Sequence, residues 1–113
     1  MAAGYQELFV EQGAYYSTSI TLDESNGDAF DLTGYDVKSQ MRKSYYSSNA
    51  TAEFSATISN PVDGIITLTM GSDVTANVPA GRYVYDVIIK SPSNAVTRVL
   101  EGIVNIIPQV TKF

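Results

Sequence analysis

The sequence predicts an all-β fold: an immunoglobulin-like antiparallel β-sandwich of about seven strands. Three observations predict it. Apolar and polar residues alternate with period two in several short runs. Clusters of Gly, Pro and Asn separate those runs at short, regular intervals. No stretch of useful length carries the 3.6-residue period of an amphipathic helix. A chain of 113 residues suits one domain, spanning 1–113, with a single core.

The first apolar stretch is Leu8-Phe9-Val10, followed by Glu11-Gln12-Gly13. Next, Tyr16, Thr18, Ile20 and Leu22 alternate with Ser17, Ser19 and Thr21, which is the pattern of a strand with one buried face. The run ends at Asp23–Asp28, where Asn26-Gly27 suits a turn with positive φ at both central residues. A second turn, Asp31-Leu32-Thr33-Gly34, leads into the cleanest alternation in the chain. There Tyr35, Val37, Ser39 and Met41 face a core, and Asp36, Lys38, Gln40 and Arg42 face water.

The polar stretch Tyr45–Thr51 reads as a loop. Glu53–Ile58 and Ile65–Met70 read as a strand pair around Asn60-Pro61-Val62-Asp63-Gly64, whose Pro and Gly set the turn. Ser72–Asn77 predicts one helical turn with Ser72 as N-cap and Asp73 near its positive end. Val78-Pro79-Ala80-Gly81 breaks that turn. Arg82–Lys90 then carries Tyr83, Tyr85, Val87 and Ile89 on one side, with Val84 and Ile88 around Asp86 on the other. A strand apolar on both faces lies centrally in its sheet, or has its outer face covered by a partner. Ser91-Pro92-Ser93-Asn94 turns the chain back, Val96–Ile107 forms the last strand, and Pro108 ends its ladder.

Composition removes whole classes of chemistry. The chain has no Cys and no His, so disulfides, Cys- or His-ligated zinc, Cys nucleophiles and His acid–base catalysis are all absent. With net charge −5 and seven scattered basic residues, it offers no basic stripe for nucleic acid. Arg42-Lys43 beside Tyr45-Tyr46 reads as a solvated strand end. No run approaches the ~20 apolar residues of a membrane span, and the N-terminus lacks the basic start and apolar stretch of a signal peptide. Charged residues are only 17% of the chain, so Ser, Thr, Asn and Tyr must cover much of the surface. Such a surface suits contacts with other subunits, because little charge has to be desolvated.

Two groups of carboxylates are candidate sites. Asp23, Glu24, Asp28 and Asp31 could supply calcium ligands, but their spacing departs from the EF-hand loop, and turn chemistry explains them better. Asp36, Asp86 and Glu101 contain a possible glycosidase pair, without a legible groove. Lys38, Lys43 and Lys90 read as solvent-facing, which argues against a Ser–Lys nucleophile. We therefore expect no catalytic residue, no cofactor and no metal. Tyr83 and Tyr85 read as core residues with hydroxyls at the rim. Adjacent pairs at Tyr15-Tyr16 and Tyr45-Tyr46 must each send one ring away from the core if they lie in strands. The candidate interface is Tyr15, Tyr45, Tyr46, Val84 and Ile88; the same tyrosines could serve as stacking platforms for a glycan.

Several segments resemble short β-sandwich virion structural proteins of tailed bacteriophages, including cyanophages. They are Glu11–Ala14, Asp31–Tyr35, Ser39–Lys43, Pro79–Val87 and Thr97–Gly102, which together span nearly the whole chain. The Leu32-Thr33-Gly34-Tyr35 turn and the Pro79-Ala80-Gly81-Arg82-Tyr83 strand start are the most specific. They also look like the N-terminal domain of phage baseplate or receptor-binding proteins. The resemblance implies a virion protein of the tail, baseplate or neck, assembled in the host cytoplasm as a homo-oligomer with other virion proteins. It supplies no catalytic residues. The alternative is a carbohydrate-binding or adhesive module.

Overall fold

The computed structural model describes residues 4–24 and 26–112, so Ser25 of the acidic turn lies outside it, as do residues 1–3 and Phe113. The strands are β1 (Gly4–Tyr5), β2 (Leu8–Glu11), β3 (Tyr16–Thr21), β4 (Asp36–Arg42), β5 (Ala52–Asn60), β6 (Ile65–Met70), β7 (Gly81–Lys90) and β8 (Val96–Ile107). One helical turn, α1 (Ser72–Thr75), joins β6 to β7. That makes eight strands among the described residues, one more than expected, because the N-terminal segment contributes two short ones.

Two sheets pack face to face. In sheet A, β8 lies beside β7, β7 beside β4, and β4 beside the start of β5; β1 and β2 both pair with β8. In sheet B the order is β3, β6 and the rest of β5. Strand β5 therefore changes sheets: Phe54 still pairs with Ser39 of β4, while Ser55 pairs with Thr69 of β6. All pairings are antiparallel except those of β1 and β2 with β8, which run parallel. This is an all-β, immunoglobulin-like sandwich.

Period-two alternation sets the core. Ile20 and Leu22, Met41, Ile66 with Leu68 and Met70, and Tyr83, Tyr85, Val87 and Ile89 all face inward and are buried. Leu8 and Val10 of β2 join them, placed opposite Val104 and Ile106. Leu32 is buried within its turn, where the Asp31 carboxylate accepts hydrogen bonds from the Thr33 amide (3.0 Å) and hydroxyl (2.6 Å). Those bonds hold the Asp31 carboxyl below the ordinary carboxylate range. Gly34 follows with φ +82°, which favours glycine.

Gly71, not Ser72, occupies the N-cap of α1, and no side chain caps it. The Gly71 carbonyl receives the Val74 and Thr75 amides, both at 3.0 Å. The fully buried Thr75 hydroxyl then donates to the Ala14 carbonyl (2.8 Å), which fixes the turn against the β2–β3 connection. Tertiary anchoring at Thr75 sets the start of the turn, overriding the cap preference of Ser72.

Tyr83 and Tyr85 are buried, as expected. Tyr83 donates to the Pro79 carbonyl four residues upstream (2.7 Å), the bond of a tyrosine corner. Tyr85 donates to the Gln6 carbonyl (2.7 Å), between β1 and β2. Burial raises the pKa of Tyr16, Tyr83 and Tyr85 above the ordinary tyrosine value of 10.0. A phenol whose folded pKa is raised stabilises the fold fully below its unfolded pKa and loses that contribution as pH rises through the folded one. Denaturant midpoints are therefore expected to hold steady up to about pH 9 and to fall by about pH 11. A midpoint that rises over that window would contradict the inward placement of these hydroxyls.

Candidate assembly interface

The outer face of sheet A gathers most of the candidate residues. On β7, Val84, Asp86 and Ile88 point outward and are half-buried, so neither Val84 nor Ile88 belongs to the core. Strand β7 lies between β4 and β8, which explains its two apolar faces. Val84 pairs with Ile103 of β8 on one side and with Arg42 of β4 on the other. Further along the same face, Asn105 of β8 pairs with Phe9 of β2, whose side chain is 60% exposed. Ile107, at the end of β8, continues the row and is also exposed.

Tyr45 reaches this face because Arg42 fastens its loop. The Arg42 guanidinium donates to the Ser47 carbonyl (3.0 Å) and to Gln40 Oε1 (3.0 Å), and Gln40 Nε2 donates to Glu53 Oε1 (2.7 Å). Residues 44–47 close into a turn through the Ser47 amide and the Ser44 carbonyl (3.2 Å). Tyr45 and Tyr46 sit at its tip, 62% and 98% exposed. A shallow depression of about 280 Å³ then brings together Tyr45, Val84, Ile88, Arg42, Asp86 and Arg98. A second, of about 470 Å³, adjoins it at Ile88 and is lined by Asp36, Lys38, Lys90 and Val96.

Tyr46 and Tyr15 stand outside both depressions. In the Tyr15-Tyr16 pair, Tyr16 turns inward onto the Phe54 ring (centroids 6.0 Å apart), leaving Tyr15 65% exposed. The strand directions nonetheless put Tyr15, Tyr45 and Tyr46 at one end of the sandwich, with the start of β7 and the end of β8. Lys43 is exposed, as expected, and holds its Nζ 4.9 Å from the centre of the Tyr83 ring. A third depression, about 690 Å³, lies at the same end among Gln12, Gly13, Ser72, Asp73, Pro108 and Gln109.

Charge on the outer face is partly paired. Asp86 and Glu101 are cross-strand partners, and Arg98 lies 3.4 Å from each. Strict alternation would send residues 98 and 101 to opposite faces. A bulge between Val87 and Ile88 leaves Val99 unpaired and brings Arg98 round to the face of Glu101. Asp36 lies at the far end of β4, opposite Lys90, so of the three carboxylates weighed for a glycosidase pair only Asp86 and Glu101 meet, on the outer face and bridged by Arg98. In the acidic turn, Asp28 accepts from the Asn26 side chain (3.1 Å) and Asp31 caps Thr33. Among the described residues, no three His, Cys, Asp or Glu side chains gather as a metal site would require, and no helix is long and apolar enough to cross a membrane.

Sequence reasoning missed Phe9, Ile103 and Arg98. Ile103 was legible in principle as an outward residue of β8, but the bulge at Val99 breaks the phase needed to count it. No protein-family model matches the chain, and no curated protein matches it in sequence. Among solved structures, the chain is similar to the filamin domain of Lin-41, with 14% sequence identity and a TM-score of 0.47. That match covers 87% of this chain and 81% of the filamin chain. The strand order and the tyrosine corner at Tyr83 are those of an immunoglobulin-like sandwich.

Proposed function

We propose that this chain is a non-enzymatic virion structural protein of a tailed bacteriophage, an oligomerising assembly module of the tail, baseplate or neck. The phage assignment is supported by the sequence segments set out above. The observation that carries the assembly reading is the outer face of sheet A. There Phe9, Val84, Ile88, Ile103 and Tyr45 present apolar surface around an Asp86–Arg98–Glu101 cluster in which one guanidinium bridges two carboxylates. A partner covering this face gains apolar burial, and its desolvation cost is softened because those charges are already paired.

The test combines proteomics of purified particles with native mass spectrometry of the free protein. Val84→Lys with Ile103→Glu sets an opposite-charge pair across the β7–β8 ladder on the solvent side of the sheet, so the isolated sandwich is expected to keep its fold. Assembly is expected to weaken at least about tenfold. Absence from particles, or unaltered assembly by the variant, contradicts the proposal. A specific observation keeps a carbohydrate-binding module as the second reading: Tyr15, Tyr45 and Tyr46 share one end of the sandwich and are all exposed. A glycan array on which replacing all three by Ala abolishes binding, with assembly unchanged, would favour it over assembly.

A further inference from the structure

We infer that β3 is a self-pairing edge, through which a second copy of this chain joins sheet B in antiparallel register about a two-fold axis at Ser19. The inference goes beyond the proposed function: it concerns a different surface and holds whatever particle the chain belongs to. Among the described residues, β3 has β6 on one side and no strand on the other. Six residues, Tyr16–Thr21, run there without a charge, a Pro, a Gly or a bulge. Sheet edges are ordinarily blunted by such features, because unpaired backbone groups are a template for another chain.

The other edges carry them. Strand β4 begins with Asp36 and Lys38, and β5 is bulged between Ile58 and Asn60 and leaves sheet B at Phe54. The β1–β2 edge is short, interrupted, and bears Glu7 and Glu11. Only β3 is left undefended among the described strands.

The register follows from the ladder. Leu22 donates its amide to the Gly64 carbonyl, so by antiparallel alternation the even residues of β3 bond to β6. Ser17, Ser19 and Thr21 therefore direct N–H and C=O toward the open side. Pairing Ser19 with Ser19 of the second copy, and Ser17 with its Thr21, makes about six backbone hydrogen bonds. The same register sets Ile20 opposite Thr18 and Leu22 opposite Tyr16 on the core side. It also separates the acidic turns: Asp23 falls opposite the exposed Tyr15 of the second copy, whereas a parallel pairing would set one acidic turn beside the other. That separation, with no charge anywhere along β3, is what selects a second copy as the occupant.

The test exploits the two-fold. Ser19 is exposed, so Ser19→Lys and Ser19→Glu should each fold. Either one alone places like charges opposite each other, and self-association is expected to weaken at least about tenfold. Mixing the two is expected to restore pairing, which a misfolded variant could not do. In the parent, the Ser17, Ser19 and Thr21 amides should exchange hydrogen more slowly as protein concentration rises. A strict monomer at high concentration overturns the inference. So does a dimer in which those three amides exchange at the dilute rate, because such a dimer would be joined through another surface. Failure to find the chain in particles would leave these readouts unchanged.

Discussion

Gly102→Ala is expected to lower stability by about 3 kcal/mol and to release β1 and β2 from β8. Gly102 lies where the segment between β1 and β2 crosses β8. A Cβ there would run into the Gln6 carbonyl oxygen and would come within 3.2 Å of the Tyr85 ring. The Gln6 carbonyl is backbone, and it is fixed on both sides: it accepts from the Tyr85 hydroxyl at 2.7 Å, and the Gln6 amide donates to the Glu101 carbonyl at 3.0 Å. A single methyl therefore cannot be absorbed by a rotamer change and has to displace the crossing. Denaturant unfolding gives the loss in stability. Hydrogen exchange at Leu8 and Val10 shows whether β2 detaches. Tyr85→Phe, which removes only the hydrogen bond, should cost about 1 kcal/mol. In the Gly102→Ala background it should cost less, because the bond is already broken. A loss for Gly102→Ala below about 1 kcal/mol, with β2 still protected, would contradict this packing.

Leu68→Ala is expected to cost about 3 kcal/mol through loss of the buried side chain and the cavity left behind. Leu68 is fully buried in β6, the middle strand of sheet B, with Thr18 of β3 on one side and Ala56 of β5 on the other. Those two neighbours are small and held in the ladder, so neither can move in to fill the space. Val62→Ala makes the contrast. Val62 is 65% exposed in the β5–β6 turn, and its truncation should stay within about 0.5 kcal/mol. Chemical denaturation of both variants checks the pair. Equal losses would mean that the two-sheet core is misplaced.

Where the sequence was informative, one physical rule did the work. Period-two alternation placed β3, β4 and β7 with the correct faces inward, because a half-buried strand leaves that pattern and little else does. Val84 and Ile88 were legible on the same ground: apolar residues on both sides of β7 mark a central strand. What stayed illegible depends on distant contacts. The parallel docking of β2 joins Leu8 to Val104, and nothing local to Leu8-Phe9-Val10 signals a partner so far along the chain. The change of sheet at Phe54 and Ser55 leaves no mark in a strand whose alternation is continuous. Gly102 inside a strand was a hint of close backbone approach, but Gln6 could not be named as what approaches. The bulge at Val99 hid Ile103 and Arg98 from the outer face, and Ser72 lost the cap because a buried Thr75 fixed the turn one residue earlier.

The proposed virion role is tested by an electron cryomicroscopy map of the purified particle. Density for this sandwich is expected in the tail, baseplate or neck, with a neighbouring subunit covering Val84, Ile88 and Ile103. A particle without the sandwich, or one in which that face is open to solvent in every copy, would contradict it.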